Sequence, residues 1–154
     1  ERLSLRKEEL YREIVRETGL SPLPGVRSFL ERLKAESRPR VIGSSTPRSN
    51  IEAVLKVIEL EGAFEHVISA EDVDKGKPDP EVFLKAAGKI GVDPKRCVVF
   101  EDSGSGVQAG LAAGMKVVGI ATTNSIDFLR GNGVDLAVAG FEELTIERLY
   151  ELFA

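Results

Sequence analysis

The chain has 154 residues, 42% of them hydrophobic, and 25 acidic against 21 basic side chains leave a net charge of −4. That length supports one sizeable core and predicts one domain with at most an appendage, and the acidic balance argues against a nucleic-acid partner, which would select a basic face. A single cysteine, Cys97, excludes an intrachain disulfide framework and fits a reducing compartment.

No run approaches about 18 apolar residues and no signal peptide is visible, so no membrane partner is expected. The expected location is the cytoplasm, or an organelle where a targeting region lies upstream of residue 1. The chain starts at Glu1 rather than Met, which fits a fragment of a longer protein.

In chain order, the first signal is a charged amphipathic helix from Leu5 to Glu17, stopped at Thr18-Gly19. A turn at Pro22-Leu-Pro24-Gly25 leads into a helix from Val26 to Ala35 with Phe29, Leu30 and Leu33 inward. Arg40 to Gly43 reads as a strand, Ser49 to Leu60 as a helix, and His66 to Ser69 as the next strand. Pro80 to Ile90 is helical, Cys97 to Phe100 is an apolar strand, and Gly106 to Ala113 is helical. Lys116 to Ile120 and Leu136 to Ala139 are strand-like, and Phe141 to Phe153 closes the chain as a helix. Strands alternating with helices predict an α/β fold: parallel βαβ units in a three-layer, Rossmann-like sandwich. Cys97 within an apolar strand reads as a small buried hydrophobe, and His66 has no catalytic role in this reading.

Three loops that follow strands carry unusual polar chemistry. Ser44-Ser45-Thr46-Pro47 suits a helix start with Thr46 as N-cap and Pro47 as first helical residue. The Ser44 and Ser45 hydroxyls and amides then stand at a helix N-terminus, suited either to an anion or to simple capping. Lys75-Gly-Lys77-Pro78-Asp79-Pro80 presents Lys77 before a helix; it is either a solvated loop cation or one that neutralises phosphate and nearby carboxylates. Cys97-Val-Val-Phe-Glu101-Asp102-Ser-Gly-Ser-Gly106 places two carboxylates at the carboxyl end of a strand, where open α/β sheets bind ligands. Adjacent carboxylates there call for a compensating cation, and hard oxygen donors suit Mg²⁺; the alternative is that Asp102 or Ser103 caps the next helix. Gly104-Ser-Gly106-Val-Gln-Ala109 also satisfies a dinucleotide-binding pattern, against which Glu101 and Asp102 would repel a pyrophosphate.

Taken together and in this order, the three loops resemble those of the haloacid dehalogenase-like phosphohydrolases, in the β-phosphoglucomutase-like branch with a small helical cap. Val41-Ile-Gly-Ser44-Ser-Thr looks like that family's phosphoryl-binding second motif, Gly76-Lys77-Pro78-Asp79-Pro80 like its lysine motif, and Phe100-Glu101-Asp102-Ser103 like its acidic metal motif. The resemblance covers about residues 20 to 154. It implies a core over 20–154, with 1–19 as the end of a helical cap and its linker. It further implies catalytic Ser44 and Lys77; phosphate or substrate binding by Ser44, Ser45, Thr46, Arg48 and Lys77; and Mg²⁺ held by Glu101 and Asp102.

One departure stands out. The family's first motif, a strand ending in Asp-x-Asp that supplies the nucleophile, is not found; Asp72-Val-Asp74 has the letters but leads into the Lys77 loop. The resemblance places that motif upstream of residue 1, together with the central strand of the sheet. The implied activity is Mg²⁺-dependent hydrolysis of a small phosphate ester through an aspartyl-phosphate. A sugar-phosphate mutase, a non-catalytic binding module and a dinucleotide-binding fragment are the alternatives.

Overall fold

The computed structural model describes residues 2–154, with side chains from residue 6 onward. Helix α1 (Arg2–Thr18) is followed by α2 (Val26–Ala35), strand β1 (Val41–Gly43), α3 (Arg48–Val57) and β2 (His66–Ile68). Then come α4 (Glu81–Ile90), β3 (Val98–Glu101), α5 (Gly104–Ala112), β4 (Lys116–Ile120), α6 (Ile126–Gly131), β5 (Leu136–Val138) and α7 (Ile146–Glu151). The alternation follows the one the apolar runs and turn residues predict, with α6 added between the last two strands.

All pairings are parallel. Val41 lies opposite His66 and Gly43 opposite Ile68, while Val99 pairs with Val117 and Val118 with Leu136. β4 shows why this is a three-layer structure: Val117 and Val118 are both fully buried although neighbouring strand side chains point to opposite faces. Val117 joins a core with Val82, Phe83, Val107 and Leu129, whereas Val118 joins one with Phe29, Val138, Ile146 and Leu149. Helices α4, α5 and α6 thus cover one face, and α2 and α7 the other.

The strands form two sheets rather than one, β1-β2 and β3-β4-β5. Between them lies a slot of ≈ 590 Å³ lined by Val41 and Ile42 of β1, Val99 and Phe100 of β3, and Phe29 and Phe83 from the covering helices. Helix α1 packs on α3, where Val15 and Ile51 are buried.

Three local expectations change. Thr46 is not the N-cap of α3; Pro47 holds that position in an extended conformation, because the Thr46 carbonyl is tied to the Ala70 amide (3.0 Å) across the sheet end. The closing helix divides into a 3₁₀ turn (Phe141–Glu143) and α7, since the Thr145 hydroxyl accepts from the Arg148 amide (3.2 Å) and starts a new helix. Cys97 stands one residue before β3, half-buried, its thiol pushed up chiefly by that burial and secondarily by Asp93.

Candidate active site

The loops after β1, β2 and β3 meet at Lys77. Its ammonium donates to the Gly43 carbonyl (3.2 Å) and pairs with the Glu101 carboxylate; the two side chains are only 12% and 9% exposed. The same ammonium lies 4.9 Å from the Phe83 ring centroid, a cation–π contact. Gly43 makes this possible, because a Cβ there would sit 3.1 Å from the Phe83 ring.

The loop carrying Lys77 is itself held: Glu81, at the start of α4, accepts from the Asp74 and Lys75 amides at 2.8 Å each. Those backbone donors, that of Lys75 foremost, keep the Glu81 carboxyl below its usual range. Asp79 accepts from the Glu81 amide (3.0 Å), so it caps α4 in practice although Pro80 holds the boundary position.

Ser44 follows the carbonyl that Lys77 grips. Its amide donates to Ile68 (2.9 Å) and its hydroxyl accepts from the Thr46 amide (3.1 Å), which folds Ser44-Ser45-Thr46 into a tight turn at the sheet edge. Ser45 is exposed; Ser44 and Thr46 are half-buried. The structure therefore brings Ser44 and Lys77 to one place.

Arg48 points elsewhere. Its guanidinium donates to the Val67 carbonyl (2.9 Å) and to Asp72 (2.7 Å), and its amide to Glu71 (3.0 Å). Asp72, the first acidic residue of Asp72-Val-Asp74, completes this cluster. The Ser69 amide and hydroxyl, helped by Arg48, hold its carboxyl down at about 2.

Glu101 and Asp102 do not face one another, since successive side chains of an extended segment diverge. Glu101 turns to Lys77 and accepts from the Ser103 hydroxyl (3.2 Å). Lys77 is thus a cation beside Glu101. Asp102 turns to the loop after β4, accepting from Thr123 Oγ1 (3.2 Å), while its carbonyl accepts from Asn124 Nδ2 (2.9 Å). No cation among the described residues pairs with Asp102.

Ser103 caps α5 by accepting from the Gly106 amide (3.1 Å). A Cβ at Gly106 would overlap the Glu101 carboxylate, so that glycine is the seat of Glu101. The same contact covers the glycine turn with a carboxylate, and a pyrophosphate would meet negative charge there. This opposes the dinucleotide reading.

Thr122, Thr123, Asn124 and Glu81 escape a reading by motif. Thr122-Thr-Asn124 nonetheless follows the strand ending at Ile120, so the strand-end rule that singles out the other loops extends to it.

As a donor set for Mg²⁺, Asp102 fits best: it is a hard oxygen ligand at a strand end, held by hydroxyls rather than cations. Glu101 beside it is already compensated. Among the described residues no group of three metal-ligating side chains forms.

A family model described as haloacid dehalogenase-like hydrolase matches residues 1–114, and the chain belongs to that family. Hexitol phosphatase A of Escherichia coli K12 is 37% identical over 130 residues, 84% of this chain and 59% of its own. A crystal structure of a HAD hydrolase of family IA, variant 3, from Entamoeba histolytica superposes with a TM-score of 0.92 at 33% identity, covering 98% of this chain and 69% of that one. A β-phosphoglucomutase from Clostridium difficile superposes with a TM-score of 0.86 at 26% identity, covering 99% and 66%. The chain spans about half the length of the curated relatives it matches.

Proposed function

We propose that the intact protein is a phosphatase acting on a small phosphate ester. The observation that carries this reading is the position of the Lys77 ammonium, which joins the Gly43–Ser44 strand end to Glu101. A buried ammonium beside hydroxyls and turn amides is a preorganised seat for a charged phosphoryl group. The phosphatase named among the relatives supports the same chemistry.

In this reading Ser44, the Ser45 amide and Lys77 take the phosphoryl oxygens, with the Ser45 and Thr46 hydroxyls completing the polar rim. Arg48 orders the exit of that loop through Asp72. Asp102, with Glu101 beside it, would hold Mg²⁺, which when bound neutralises charge on the transferring group.

The nucleophile then belongs to a strand seated in the slot between β1 and β3, from a part of the longer protein outside residues 1–154. Three features support this: the two facing strand edges, the apolar lining, and the greater length of the relatives. Such a strand ends beside Lys77. An aspartate there attacks phosphorus in line, the P–O ester bond breaks and the leaving oxygen takes a proton from the second acid of that strand's Asp-x-Asp; water then gives its proton back to that acid as it cleaves the acyl phosphate, restoring the aspartate and freeing phosphate. The core is then residues 20–154 short of one strand, and α1 belongs to the joint with a helical cap. Its exposed Leu10, Tyr11 and Ile14 (42%, 44% and 56%) support that assignment. Among the described residues no helix is long and apolar enough to cross a membrane.

The test compares the intact gene product with residues 1–154 alone on an aryl phosphate and on sugar phosphates, with Mg²⁺. Release of inorganic phosphate by the intact protein only is the expected result. Isomerised sugar phosphate without net phosphate release identifies a mutase instead, the reading that the β-phosphoglucomutase likeness favours. Equal hydrolysis by 1–154 would place the nucleophile within this sequence. No turnover by the intact protein would leave a binding module.

A further inference from the structure

We propose that Asn50 is a positioning residue that couples helix α1 to the turn carrying Ser44. Its catalytic readout rests on the phosphatase reading; its mechanical readout does not.

Asn50 is only 4% exposed and lies in the first turn of α3. Its amide reaches out of α3. Oδ1 accepts from Arg12 Nη1 (2.9 Å) and Nδ2 donates to the Glu8 carboxylate. Arg12 Nη1 also donates to the Ser49 hydroxyl (3.0 Å). Glu8 and Arg12 lie four residues apart on one face of α1, so a negative and a positive group read the two ends of one buried amide.

This clasp fixes orientation. Val15 and Ile51 already supply apolar burial between the same two helices. A buried polar cluster adds little net stability over apolar packing of the same shape. What directional hydrogen bonds add is register: greasy contacts tolerate a small slide or rotation of one helix on another, and this set does not.

Register matters here because α3 is continuous with the phosphate turn. The Asn50 amide donates to the Pro47 carbonyl (3.0 Å), and the Thr46 carbonyl accepts from the Ala70 amide (3.0 Å). Residues 44–47 are therefore slung between two anchors, the strand end near Ala70 and the first turn of α3. A tilt of α3 re-aims the Ser44 and Ser45 groups relative to Lys77.

The experiment uses the intact protein and three variants: Asn50→Leu, which keeps volume but neither hydrogen-bonding end, Arg12→Ala, and the pair. Glu8 and Arg12 are half-buried and can turn to solvent, so folding is checked by thermal melting. Expected for Asn50→Leu is a roughly tenfold rise in KM for an aryl phosphate and in Ki for inorganic phosphate, with a smaller fall in kcat. Faster hydrogen exchange at the hydrogen-bonded amides of Ser44 and Thr46 accompanies it. Arg12→Ala should reproduce the change, and the pair should exceed neither single variant.

Unchanged Ki and unchanged exchange in folded Asn50→Leu would overturn the proposal, as would additive losses in the pair. If the unmodified protein neither hydrolyses an aryl phosphate nor binds phosphate, the phosphatase reading falls. Exchange at the Ser44 and Thr46 amides then decides the clasp alone: acceleration upholds it and no change overturns it. Should Asn50→Leu fail to fold, Arg12→Ala, further from the core, carries the same measurements.

Discussion

The Lys77 ammonium and the Glu101 carboxylate give up most of their hydration where they meet, at 12% and 9% exposure. Removing one partner of such a pair leaves a buried charge without compensation, which costs about 3–5 kcal/mol, whereas removing both charges together is often near neutral. Stability and activity therefore separate. Lys77→Met should lower the unfolding free energy by about 3 kcal/mol and abolish phosphate binding. Adding Glu101→Gln should restore most of the stability and none of the binding. Denaturant titrations beside phosphate inhibition constants check both halves; recovery of binding in the double variant would remove Lys77 from the site. Glu101 and Asp102 stand side by side in the sequence as a candidate pair of Mg²⁺ donors. Their identity is plain in the sequence, but Glu101 finds a cation 24 residues back, in the loop that follows a different strand.

Helix α5 depends on glycine for close approach rather than for flexibility. Gly106 seats Glu101, and a Cβ at Gly110 would lie 2.7 Å from a Val117 methyl, so the helix rides directly on β3 and β4. Gly106→Ala should destabilise by about 1–3 kcal/mol through overpacking and should weaken phosphate binding, because it dislodges Glu101 from Lys77. Gly88 is the contrast: it lies exposed in α4 with no atom within 4 Å of the position a Cβ would take. Gly88→Ala should stabilise by about 0.5–1 kcal/mol through helix propensity and reduced unfolded-state freedom. Thermal melts of the two variants moving in opposite directions would verify the distinction. The helix pattern of the sequence places Gly88 inside one helix and Gly106 at the start of another, yet it does not show which of them a neighbour crowds. The difference is a neighbour from another element.

Across the whole molecule, acid stability follows from the carboxylates that backbone amides hold. Asp72 sits at about 2 against an ordinary 3.8, owing first to the Ser69 amide and then to the Ser69 hydroxyl and Arg48. Glu71, Glu81 and Glu147 are also lowered, each chiefly by a backbone hydrogen bond. A carboxyl with a lowered folded value stabilises fully above its unfolded pKa and loses that contribution as pH falls through the folded one. The melting temperature should therefore hold above about pH 5 and fall between about pH 4 and pH 2. Asp72→Asn should flatten the lower part of that fall. A melting temperature that rises on acidification would contradict the assignment. The same scale carries the split sheet: β1 and β3 each present an unpaired edge to an apolar slot, and unpaired strand edges invite pairing.

What the sequence determined by itself is the class of fold and the order of the chemistry. Short apolar runs ending in Ser44, Glu101 and Ile120, each followed by a helical pattern, dictate parallel βαβ units, and parallel units gather strand ends on one side of the sheet. The three polar loops were legible for that reason, and so was their likeness to one family. Tertiary structure alone decided which charges meet. Lys77 reaches Glu101 and Gly43, Arg48 closes on Asp72 instead of the phosphate turn, Asp102 turns to Thr123, and Asn50 reads Glu8 and Arg12. The physical reason is that periodicity reports how a segment is buried, a property of near neighbours along the chain. A hydrogen bond between loops depends on distances set by the packing of every element between them.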